Sequence, residues 1–172
     1  MYDELARLGG RPIMYKTGHS LIKAKMKESH AELAGEMSGH MFFADRYHGF
    51  DDALYAACRL MEIVACSGKP LSSHLASLPK TVTTPEIRFD CPDELKFEVV
   101  RQASAELRAR HNTVDVDGVR VLFPEGWGLV RASNTQPVLV MRFEATSTEL
   151  LEAYRKEVES AVSRAVARER AR

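Results

Sequence analysis

The run Thr81-Val82-Thr83-Thr84-Pro85 divides this chain into two stretches whose apolar patterns obey different rules. Before it, short apolar segments alternate with helical spacings of three and four, as an α/β domain requires. Beyond it, strands group as hairpins between two helices, an α+β pattern. Proline and threonine at that density read as a linker and predict two domains, 1–79 and 80–172. A length of 172 residues has room for two small domains or one ordinary one.

Charge narrows the partners. The 24 Lys and Arg balance 24 Asp and Glu, so no net field draws in nucleic acid or an anionic membrane. The longest apolar runs fall well short of the ~20 residues that span a bilayer. Met1-Tyr2-Asp3-Glu4-Leu5 is acidic and polar, unlike a signal peptide. Cys58, Cys66 and Cys91 are odd in number and lack metal-type pairing. The expectation is a cytoplasmic protein without nucleic-acid or membrane partners.

In chain order, Tyr2 to Leu8 reads as the closing turns of a helix stopped by Gly9-Gly10, and Pro12 to Tyr15 as a short strand. An α/β domain does not normally open on a helix tail, so a preceding strand is expected outside the chain. Leu21 to His30 is a basic helix with Leu21, Ile22 and Met26 on one face. Met41-Phe42-Phe43 reads as a strand, and 44–49 as a loop. Asp51 and Asp52 head a helix, where carboxylates complement the dipole, and capping explains them better than metal ligation. The expected core stripe of that helix is Leu54, Ala57, Cys58, Met61 and Val64. A short helix follows from Pro70 towards Leu78.

In the second half, Glu86 to Asp90 alternates as a strand. Pro92-Asp93-Glu94 launches a helix to about Arg110, with Leu95, Val99, Ala103 and Leu107 inward. Thr113 to Val116 and Val119 to Phe123 flank a hairpin turn at Asp117-Gly118. Val138 to Phe143 is apolar enough for a central strand. Thr146-Ser147-Thr148-Glu149 reads as a capping box for a last helix that turns Leu150, Tyr154, Val158, Ala161 and Ala165 inward. The arginine-rich end, 164–172, reads as a solvated, fraying terminus.

Two polar loops interrupt this framework. Gly35-Glu36-Met37-Ser38-Gly39-His40 sets a carboxylate, a hydroxyl and an imidazole between glycines, a mixed donor and acceptor set that suits a polyhydroxylated ligand such as a sugar. Read alone, it is also a polar turn ahead of a buried strand. Arg131-Ala132-Ser133-Asn134-Thr135-Gln136-Pro137 offers a guanidinium fork, two hydroxyls and backbone N–H groups that can line an anion nest for phosphate. Its alternative is a hairpin whose Arg131 pairs with a surface carboxylate. Lys16-Thr17-Gly18-His19-Ser20 turns into a helix whose first N–H groups form an anion site, or are simply capped.

These three segments, in this order, resemble the α-D-phosphohexomutases, and most of all their bacterial phosphomannomutase/phosphoglucomutase group. The resemblance covers essentially the whole chain. It implies an incomplete three-layer α/β domain 3 over residues 1–79, followed by a TATA-box-binding-protein-like domain 4 over 80–172. It also implies that Glu36 and Ser38 bond hexose hydroxyls in a sugar-specificity loop, where Met37 resembles the glucose/mannose type. Phosphoglucosamine mutases usually carry glutamine at that place. Thr17 and Gly18 are similar to backbone contacts of the family, and His19 and His40 to histidines lining the cleft, with a structural histidine as the alternative. Arg131, Ser133, Asn134 and Thr135 match the loop that grips the non-reacting phosphate.

The departures matter as much. The family reaction uses a phosphoserine and a magnesium ion held by an aspartate loop, and neither motif occurs here. Asp115-Val116-Asp117-Gly118 lacks the third aspartate of that loop. The resemblance therefore implies the C-terminal part of an isomerase that interconverts hexose 1-phosphate and hexose 6-phosphate through a hexose 1,6-bisphosphate. Glucose or mannose phosphates are the expected substrates, and N-terminal domains of the same enzyme the expected partners. This part would hold sugar and distal phosphate, with no catalytic serine, no metal site and no turnover of its own. A phosphoglucosamine mutase part and a non-catalytic sugar-phosphate module are the alternatives.

Overall fold

The computed structural model describes residues 2–171, apart from the Asp3 side chain. The chain forms two compact units, Met1–Leu78 and Pro79–Arg172.

The first unit opens with helix α1 (Tyr2–Arg7) and continues with α2 (His19–Ser29). Strands β1 (Leu33–Gly35) and β2 (Met41–Phe43) form an antiparallel hairpin, with Ala34 opposite Phe42. Helix α3 (Ala53–Ser67) follows, capped by Asp52, whose carboxylate accepts the Tyr55 N–H at 2.9 Å. Gly68, at φ 59°, ends α3, and a 3₁₀ turn spans Leu71–Leu75. Ile22 and Met26 of α2 bury against Phe42, with Ala31 and Ala34 alongside, and this small cluster is the apolar centre of the unit.

Two expectations fail in this unit. Residues 12–15 form no ladder: β1 and β2 pair with each other, and Phe42 meets Asp51 in an isolated bridge. A strand exists only where a neighbour takes its N–H and C=O groups. The apolar stripe of α3 is not a core either: Leu54 is 82% exposed and Met61 62%. Periodicity states which face a helix can bury, whereas burial needs a facing surface. Here α3 rests on β2 mainly through Tyr55, edge-on to Phe43, and Arg59, whose guanidinium lies 4.6 Å from the Phe43 ring centre. Arg46 clasps Glu62 with two bonds, and Tyr47 stacks on Tyr55 at 3.9 Å, so the 44–49 loop is fixed to the helix.

The second unit is a two-layer α+β structure. Strands β3 (Val82–Thr83), β4 (Ile87–Asp90), β5 (Asn112–Val114), β6 (Val119–Phe123), β7 (Gly126–Ala132) and β8 (Val138–Ala145) make one antiparallel sheet. Its order is β3-β8-β7-β6-β5, and β4 also pairs with β8. The expected linker is thus partly a strand: Val82 pairs with Ala145, and the Thr84 hydroxyl accepts the Phe143 N–H. β8 is central, as its apolar run predicts, with β7 along one edge and β3 and β4 along the other.

Alternate residues of the sheet, including Val119, Val121, Val130, Leu139, Met141 and Phe143, bury against helices α4 (Asp93–Arg108) and α5 (Thr148–Arg170). Val99, Ala103 and Leu107 of α4 and Tyr154, Val158 and Ala161 of α5 face them, as the spacing of three and four predicts. Burial of each large member contributes about 1.5–3 kcal/mol. At Gly128 a Cβ would lie 2.9 Å from the Phe143 ring and 3.2 Å from Val158, so glycine lets α5 approach β7.

Smaller expectations shift. The α5 cap is Ser147, whose hydroxyl accepts the Leu150 N–H, so the reciprocal box from Thr146 to Glu149 does not form. Thr146 instead donates to Glu125. α5 stays helical to Arg170, because Arg164 and Arg168 converge on Glu106 of α4, while Arg172 lies outside the described residues. The β5–β6 ladder ends at the Val114–Arg120 pair, so Val116 belongs to the turn.

Candidate functional site

In the first unit the site is built on the β1–β2 turn. Glu36 donates its N–H to the His40 carbonyl at 2.9 Å, and Gly39 donates to the Glu36 carbonyl at 3.0 Å. Gly39 sits at φ 96°, a conformation that favours glycine. The closed turn sets the Glu36 and His40 side chains next to each other. One Glu36 oxygen accepts the Gly18 N–H at 2.9 Å, and the other accepts the Ser38 hydroxyl at 3.1 Å. The start of α2 therefore meets an anion from its own chain.

His40 is oriented from behind. Its Nδ1 lies 2.7 Å from Asp51 Oδ2, and Asp51 Oδ1 accepts the Met41 N–H at 3.2 Å. Burial pushes the Asp51 carboxyl up, but the bonds from His40 and Met41 and the nearby imidazoles outweigh it and hold the group below its ordinary value. An ionised Asp51 only accepts, so His40 Nδ1 carries the proton and Nε2 faces outward as an acceptor in the neutral ring. His19 stands edge-on to His40, with ring centres 4.6 Å apart, and to the buried Phe42 at 5.4 Å. Gly18, His19, Glu36, Ser38 and His40 thus form one group, whereas Thr17 and Met37 are exposed beside it.

In the second unit the β7–β8 hairpin carries the other candidates. Ser133 is 8% exposed, and its hydroxyl accepts the N–H groups of Thr135 at 3.3 Å and Gln136 at 3.2 Å. The expected anion nest is corrected here: these two N–H groups are satisfied by Ser133 itself. Asn134 and Thr135 have exposed side chains at the tip. Arg131 Nη1 lies 3.9 Å from Asp117 Oδ2, too far for a hydrogen bond. Gly118, at φ 72°, makes room for this approach, since a Cβ there would fall 2.2 Å from the Val130 carbonyl oxygen.

Three residues of these sites were not legible as such in the sequence. Asp51 reads as a dipole partner of α3, yet it bonds His40 while Asp52 does the capping. Lys96, 4% exposed, reaches from Asp93 at 2.6 Å to the Gln136 carbonyl at 3.1 Å and ties α4 to the phosphate-loop candidate. Arg88 holds the Gln136 side chain at 2.7 Å. The Asp93–Lys96 spacing is a visible signal, but the reach to position 136 is not.

The donor sets do not suit magnesium. His19, Glu36 and His40 offer two imidazoles to one carboxylate, whereas magnesium takes oxygen ligands. Asp115 pairs with Arg108, and Asp117 lies beside Arg131, so cations already neighbour both.

Comparison with known proteins agrees with this architecture. Residues 1–82 match the family model described as phosphoglucomutase/phosphomannomutase, alpha/beta/alpha domain III. Residues 86–161 match the C-terminal domain model of the same family. The chain belongs to the phosphoglucomutase/phosphomannomutase family. A phosphomannomutase/phosphoglucomutase of Pseudomonas aeruginosa is 51% identical over 145 residues, or 84% of this chain and 31% of that protein. A phosphoglucomutase of Neisseria gonorrhoeae is 48% identical over 147 residues, 84% of this chain and 32% of its own length. A crystal structure of a family member from Burkholderia thailandensis superposes with a TM-score of 0.80 at 45% identity, covering 94% of this chain and 34% of that one. The chain spans about a third of the length of the curated relatives it matches.

Proposed function

We propose that this chain is the substrate-holding part of a phosphomannomutase/phosphoglucomutase, which moves phosphate between the 1- and 6-positions of a hexose. One observation carries the reading: Glu36 is fixed between the Gly18 N–H and the Ser38 hydroxyl, beside an Asp51–His40 pair. Such a group presents rigid acceptors to sugar hydroxyls without having to order them on binding. Arg131, Ser133, Asn134 and Thr135 grip the phosphate that does not react, with Lys96 and Arg88 holding the loop in place.

In this role the chain binds and orients. Energy from hydroxyls and distal phosphate positions the reacting end, where phosphoryl transfer is governed by alignment and charge. Equatorial hydroxyls at positions 3 and 4 roughly interchange when the sugar flips, which lets Glu36 serve both poses. The phosphoserine and magnesium chemistry of the reaction has no counterpart in the donor sets described above, so the chain alone has no turnover. The ligand to use is a hexose 1,6-bisphosphate.

The test is a titration of the 172-residue protein with glucose 1,6-bisphosphate, followed by amide chemical shifts. Saturable shifts are expected at Gly18, at 36–40 and at 131–135. Absence of shifts from both loops at millimolar ligand, or robust mutase turnover by the chain alone, refutes the reading.

A further inference from the structure

We infer that the β1–β2 turn is also a binding site for a transition-metal ion of the zinc class, with His19, Glu36 and His40 as ligands. Each of the three offers one ligand atom, and these atoms all lie within 4.8 Å of one another. Metal bonds of about 2.0–2.1 Å place tetrahedral ligands roughly 3.3 Å apart, so closure asks each atom to move inward by at most about 0.8 Å. Side-chain rotation supplies that much without moving the backbone.

The surroundings are those of a built site. His40 donates Nδ1–H to Asp51 at 2.7 Å, which leaves Nε2 for the metal and reproduces a carboxylate–histidine–metal relay. Glu36 is oriented by Gly18 and Ser38, yet each oxygen bonded in this way keeps a lone pair. His19 packs edge-on to Phe42, which is fully buried, and its Nε2 is 3.8 Å from Asp51, beyond hydrogen-bond range. Gly39, at φ 96°, holds positions 36 and 40 across the turn. Two nitrogens and one oxygen select zinc, cobalt or nickel over magnesium and calcium. Three protein ligands leave a fourth tetrahedral position for water, and His19 and Ser38 are exposed to solvent.

The site stands on this geometry alone. Its consequence for activity rests on the proposed sugar role of Glu36 and His40: a zinc ion bound there and a hexose exclude each other, so zinc inhibits competitively at a place separate from any magnesium site.

The probe is Co²⁺, added to the full 172-residue chain with Cys58→Ser and Cys66→Ser to remove the exposed thiols. One saturable equivalent with the visible absorption of four-coordinate cobalt is expected, and paramagnetic amide perturbation should centre on 18–19, 36–40 and 51. Asp51→Asn should weaken binding by about 10–100-fold through the His40 ring, and loss of both imidazoles in His19→Ala/His40→Ala should abolish it. His30→Ala and His48→Ala should leave it unchanged. No saturable binding, perturbation centred elsewhere, or undiminished affinity in the double variant overturns the site. Because the amide readout uses both ligating histidines intact, it decides the matter even if the double variant fails to fold. Saturating glucose 1,6-bisphosphate should displace the cobalt. Co-occupancy would leave the metal site standing and remove Glu36 and His40 from the sugar reading.

Discussion

Ser133→Ala tests whether the β7–β8 loop is shaped by one buried hydroxyl. Ser133 accepts the N–H groups of Thr135 and Gln136 at 3.3 and 3.2 Å, and its own N–H goes to the Val138 carbonyl at 2.9 Å. Alanine keeps the last bond and removes the other two. Each is worth about 0.5–1.5 kcal/mol net, and both are long, so the expected loss is about 1–2 kcal/mol. At a urea m-value of about 1 kcal/mol/M for a small domain, the unfolding midpoint falls by roughly 1–2 M. Trp127, the sole tryptophan of the sequence, lies on β7 and reports this unit by fluorescence. Asn134→Ala, at the exposed tip of the same loop, is the control and should stay within about 0.5 kcal/mol. An unchanged midpoint for Ser133→Ala would show that the hydroxyl does not organise the loop, and the account of its phosphate grip would go with it.

Three further outcomes follow from the structure. Gly118→Ala combines a φ of 72° with a Cβ 2.2 Å from the Val130 carbonyl oxygen, and should cost more than about 2 kcal/mol in the same urea assay. Arg131→Ala in a complete enzyme should raise KM about 10–100-fold, the loss of charge-assisted bonds worth about 1.5–3 kcal/mol, with unfolding unchanged; unaltered steady-state kinetics would remove its phosphate role. The first unit should lose stability in acid. Arg59 holds Asp45 below its usual value, the Tyr47 hydroxyl does so for Asp52, and Arg46 for Glu62. A depressed folded pKa gives stability that is full above the unfolded value, near 4, and drains away as pH falls through the folded one. Amide protection factors of residues 41–67, with the intrinsic pH dependence of exchange divided out, should therefore fall below about pH 4, and protection that is flat from pH 6 to 3 would contradict this account.

The sequence by itself determined the elements whose pattern is local. The α4 and α5 stripes, the central β8 strand, the Met41–Phe43 strand and the polar character of both loops follow from periodicity and turn chemistry, which act over a few residues. The family resemblance rested on the same short segments, and the domain models matched at 1–82 and 86–161 agree with it.

What only the tertiary structure decided involves partners distant in the chain. Leu54 and Met61 carry a correct helical period, but no pattern states whether a surface exists to cover them, and both lie exposed. Thr81 to Pro85 has linker composition, yet Val82 and Thr83 find a ladder on β8 some sixty residues on. Asp51 looks like any helix-leading carboxylate until the hairpin brings His40 to within 2.7 Å. Pairing across tens of residues is settled by which hydrogen-bonding and apolar surfaces remain unsatisfied after local structure forms, and that is a property of the folded whole.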